Sequence, residues 1–85
     1  MNTPLMKGFN MKTRLLISNS IVDGWWVSIQ LTENDQMLKS EQLFKEDDKD
    51  ILVARVKRLS HITSMPVFVE PGTRELTEQD FAVTK

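Results

Sequence analysis

Ile21-Val22-Asp23-Gly24-Trp25-Trp26-Val27-Ser28-Ile29-Gln30-Leu31 is the stretch that decides the fold. Asp-Gly between two apolar runs is a strong hairpin signal, because both central residues of a two-residue turn take positive φ. Such a turn sets Val22 opposite Trp25, Ser20 opposite Val27, Ser18 opposite Ile29 and Leu16 opposite Leu31. After the turn, Trp25, Val27, Ile29 and Leu31 alternate with Trp26, Ser28, Gln30 and Thr32. That is the period-two pattern of a strand with one apolar face and one polar face.

Working outward, Asn34-Asp35 marks a second two-residue turn. It leads into a strand over 36–44 that sets Leu38 against Leu31 and Phe44 against Trp25. Leu52, Val56, Leu59 and Ile62 then recur at helical spacing behind the acidic run Glu46, Asp47, Asp48 and Asp50. The spacing predicts a helix over 48–61, capped by Asp47 or Asp48, with acids in its first turn and Arg55, Lys57, Arg58 and His61 in later ones. Residues 65–70 read as a short strand, placed at an edge or begun by Pro66. Thr77 with Asp80, and Leu76 with Phe81, carry the signature of a helix start over 78–83. The element order is β-β-β-α-β with a short C-terminal helix. It predicts a two-layer α+β domain over 12–85: an antiparallel three-stranded meander, a fourth strand, and one main helix on one sheet face. Residues 1–11 read as a loosely ordered segment.

On the face away from the helix, this register places Leu15, Ile17 and Ile21 beside Trp26 and Leu43. An exposed apolar cluster of this kind marks an interaction surface, and Trp is enriched at interface hot spots. Two alternatives stand beside that reading. A bulge near Ser18-Asn19-Ser20 turns Leu15 and Ile17 inward. A folded-back terminal helix covers Trp26.

Eighty-five residues allow one small domain, which buries about two-thirds of its unfolded surface. Self-association is therefore a useful source of stability, and a homodimer or a complex with a protein partner is expected. Eleven Lys and Arg against 12 Asp and Glu leave a net charge of −1, which disfavours a nucleic-acid partner even with Arg14, Arg55, Lys57 and Arg58 present. Cysteine is absent, which excludes disulfides and thiolate chemistry, and the single His61 excludes a multi-histidine metal site. The acidic run lacks the spacing of a calcium loop, and no glycine-rich phosphate loop is present. Ser18, Ser20, Ser28 and Ser40 have no paired histidine and acid of the kind nucleophilic catalysis needs. The expectation is a non-enzyme without cofactor or metal. With no export signal and no apolar run of membrane-spanning length, a cytoplasmic location is the default. A small-ligand domain, with a pocket lined by Trp25 or Trp26, is the alternative from a different class.

The order of elements over 12–70, with Asp23-Gly24-Trp25-Trp26-Val27-Ser28 at the first hairpin, resembles the partial ribonuclease-H-like fold of HicB-type antitoxins. The resemblance implies that fold and a role in binding a protein partner. No nuclease residue carries over, since the first strand offers Ser18 and Asn19 where a ribonuclease H nuclease has an acid.

Overall fold

The computed structural model describes residues 11–82. The expectations for residues 1–10 and 83–85 lie outside these, whereas Met11, expected in the loosely ordered segment, begins the first strand by pairing with Glu33. The α+β architecture is present as expected. Strands β1 (Met11–Asn19), β2 (Trp25–Glu33) and β3 (Gln36–Glu46) are followed by helix α1 (Lys49–Thr63), strand β4 (Val67–Val69) and a 3-10 turn, Glu78–Phe81. The sheet order is β3-β2-β1-β4. The first two pairings are antiparallel, and β4 lies parallel to β1 with Leu15, Leu16 and Ile17 opposite Val67, Phe68 and Val69.

The first hairpin reverses the chain, but through the longer loop 20–24, closed by the Ser20 N–H donating to the Gly24 carbonyl at 3.0 Å. Asn19, not Val22, faces Trp25. The offset of three residues is odd, so every side chain of β1 sits on the face opposite to that of the two-residue register. Ile17 pairs with Val27 and Leu15 with Ile29, and both Leu15 and Ile17 are fully buried. The physical reason is plain. The two-residue register would put Ser18 and Ser20 in the core and leave two large aliphatic side chains outside it, each worth about 1.5–3 kcal/mol on burial.

The second turn forms as read. Glu33 pairs with Gln36, and Asn34 and Asp35 both have positive φ, 53° and 69°. The register then slips at two irregularities, with Leu38 and Leu43 as the extra residues. Lys39 therefore faces Leu31, Phe44 faces Val27, and Leu38 is exposed rather than in the core. These bulges sit on an edge strand, where they blunt strand-to-strand pairing.

Asp48 caps α1 by accepting the Ile51 N–H at 3.1 Å, and Ser64 ends it in the left-handed region. Leu52 and Val56 are buried against Leu15, Ile17, Trp25 and Val27. Thr77 and Asp80 form the reciprocal capping box at the 3-10 turn, and the staple residues Leu76 and Phe81 join the same core. Replacing Asp48 with Ala removes one capped N–H. It is expected to cost about 1 kcal/mol, read as a lower midpoint in urea at unchanged slope.

Candidate functional site

Period-two alternation in β2 sends Trp25 under α1 and Trp26 to the opposite face. The 3-10 turn packs on α1 and β4, on the core side, and does not cover Trp26. Around Trp26 the pairing places Ser18 on one side and Lys45 on the other; Leu16 and Phe68 are paired across β1 and β4 on the same face. Trp26, Leu16 and Phe68 are half-buried. Arg14 spans the middle of this face. Its Nε donates to Gln30 Oε1 at 2.9 Å, and its guanidinium carbon lies 4.2 Å from the centroid of the Phe68 ring. The strand residues of this face include Lys12, Arg14 and Lys45 and no Asp or Glu. Lys45 also pairs with Asp47 at the edge.

The five expected contact residues are therefore dispersed. Trp26 holds its place. Leu43 is a bulge residue on the edge strand, 42% exposed. Ile21 is not in β1 at all: it sits in the loop 20–24, 98% exposed, beside Val22. Leu15 and Ile17 are core residues and offer nothing to a partner. Leu16 and Phe68 are the apolar residues that share the outer face with Trp26. The hairpin alone would have identified Leu16 only with the longer loop, and Phe68 only with the pairing of β4 to β1.

Trp25 lines a cleft of about 570 Å³ with Asp23, Asp47, Asp48, Asp50 and Glu75 and the cations Lys49 and Arg74. Its indole N–H is committed to the Arg74 carbonyl at 3.0 Å. Among the described residues no group of His, Asp and Glu is arranged to hold a metal ion. His61 lies in the last turn of α1, as read from the sequence, next to Ser60, whose hydroxyl donates to the Met65 carbonyl. Among the described residues no helix is long and apolar enough to cross a membrane. No family model, curated protein or solved structure matches the chain.

Proposed function

We propose that this chain is a small non-enzymatic interaction module, adaptor or inhibitor in type, that binds a protein partner through the outer sheet face centred on Trp26. The observation that carries the reading is the indole itself. It stands on a sheet face over which no described element packs, and Leu16 and Phe68 lie on that same face. Large aromatic side chains in such settings supply most of the energy of an interface. The cations Lys12, Arg14 and Lys45 favour a partner surface that carries carboxylates. A cytoplasmic setting, and the HicB-like alternative in which the domain occludes a toxin-type partner, both fit the same surface.

The test is affinity capture with the wild-type chain and with Trp26→Glu. The variant is expected to keep its fold, because Trp26 lies outside the α1 core, and to lose at least about 2 kcal/mol of partner binding. Partners retained equally by both chains would sink the proposal. A second reading rests on the cleft beside Trp25, whose volume suits a small ligand. Its lining carries five carboxylates with Lys49 and Arg74, which favours a ligand with a cationic group, and binding there would survive Trp26→Glu.

A further inference from the structure

The tip of the loop between β1 and β2 is the most exposed apolar feature among the described residues, with Ile21 at 98% and Val22 at 75% exposure. Its base is held firmly. The Arg74 guanidinium donates to the Ser20 and Gly24 carbonyls at 3.3 and 2.8 Å, and the Arg74 N–H donates to Asn19 Oδ1 at 2.9 Å. An apolar tip on a fixed base enters a partner with little ordering cost. Asp23 stands next to it and makes no hydrogen bond or ion pair among the described residues.

A second feature matches the first. Between α1 and β3 lies a hollow of about 270 Å³ formed by Phe44, Leu59 and Ile62 and flanked by Arg55 and Arg58. Ile62 is 67% exposed. Arg55 stacks on the Phe44 ring at 3.9 Å and reaches Glu46 at 3.4 Å, whereas Arg58 has no ion-pair partner among the described residues. One feature is thus aliphatic with a free carboxylate, and the other is apolar with a free guanidinium. They do not meet within one chain. The loop packs at the junction of β3 and α1, where Gly24 abuts Asp47, and none of its residues lines the hollow.

We propose that the chain associates with itself head to tail, the Ile21-Val22 tip of one copy seated in the α1–β3 hollow of the next, with Asp23 meeting Arg58. Such a contact is heterologous, so it closes into a ring or extends as a chain of copies. It uses neither Trp26 nor the outer sheet face, and it stands independently of the partner binding proposed above.

Sedimentation of the full chain from about 1 μM to about 1 mM tests it. The average mass is expected to rise with concentration, and less so in high salt. Ile21→Asp and Ile62→Asp are each expected to weaken association about tenfold or more while circular dichroism stays native. Mixed together, they are expected to give a 1:1 dimer that grows no further, because one chain keeps its tip intact and the other its hollow. Asp23→Arg and Arg58→Glu each weaken association, and combining them in one chain restores it. Trp26→Glu is expected to leave it unchanged. A wild-type chain that stays monomeric throughout would overturn the proposal, as would a mixture without the 1:1 dimer, failure of the charge reversal to restore association, or loss of association in Trp26→Glu.

Discussion

Ile17→Ala is expected to lower stability by about 3–4 kcal/mol, which for a domain of this length is roughly 12–30 °C in Tm. Ile17 is fully buried at the point where three strands meet, opposite Val27 on β2 and Val69 on β4, and it shares one core with Leu52 and Val56 of α1. Truncation removes the transfer energy of the lost carbons and leaves a cavity that three hydrogen-bonded strands resist closing. Small domains have modest total stability, so this loss consumes much of it. Ile21→Ala, four residues on, is expected to change stability by less than about 0.5 kcal/mol, because its side chain is 98% exposed. The pair tests the register directly. With a two-residue turn at Asp23-Gly24 both side chains would stand on the outer face and both changes would be mild. Thermal and urea unfolding followed by circular dichroism separate the cases, and equally small losses would refute the burial of Ile17.

The reason the sequence misplaced Ile17 is instructive, because the neighbouring strand was read correctly. Alternation is internal to a strand, so Trp25 inward and Trp26 outward followed from β2 alone. The facing of β1 depends on the length of the loop before β2. That length is set from far along the chain: Arg74 donates to the Ser20 and Gly24 carbonyls across 54 and 50 positions. No local pattern announces such a clamp. The Asn34-Asp35 turn formed as its residues indicate, with both residues at positive φ and Glu33 paired with Gln36. Beyond it, the exposed leucines Leu38 and Leu43 bulge out of an edge strand with one free side, where slippage costs little. Helix α1 was legible because its cap and its apolar spacing are both local signals. The parallel pairing of β4 with β1 was not, since three residues carry no mark of their partner. For the candidate site this means that Trp26 was visible in the sequence. Phe68 on the same face was not, and neither was the isolation of Ile21 on a loop tip.

Gly24→Ala is expected to cost about 3 kcal/mol, clearly more than the same change at Gly72, and the difference isolates a contact that holds the loop in place. Both glycines have positive φ, 80° and 90°, so both substitutions pay about 1–2 kcal/mol for a side chain in the left-handed region. They differ in their surroundings. A Cβ on Gly72 would meet nothing within 4 Å. A Cβ on Gly24 would lie 2.5 Å from the Glu46 carbonyl oxygen and 2.8 Å from the Asp47 Cα, so backbone must move and not a flexible side chain. The segment that would move joins β3 to α1 and carries the Asp48 cap, while on the other side Gly24 is tied to Arg74. Displacing either one loosens the base on which Ile21 and Val22 stand. Unfolding in urea gives the two losses. If they prove equal, the β3–α1 junction gives way freely and the loop is not rigidly based. If Gly24→Ala is the costlier, it should also weaken self-association, although Gly24 itself lies outside the apolar tip.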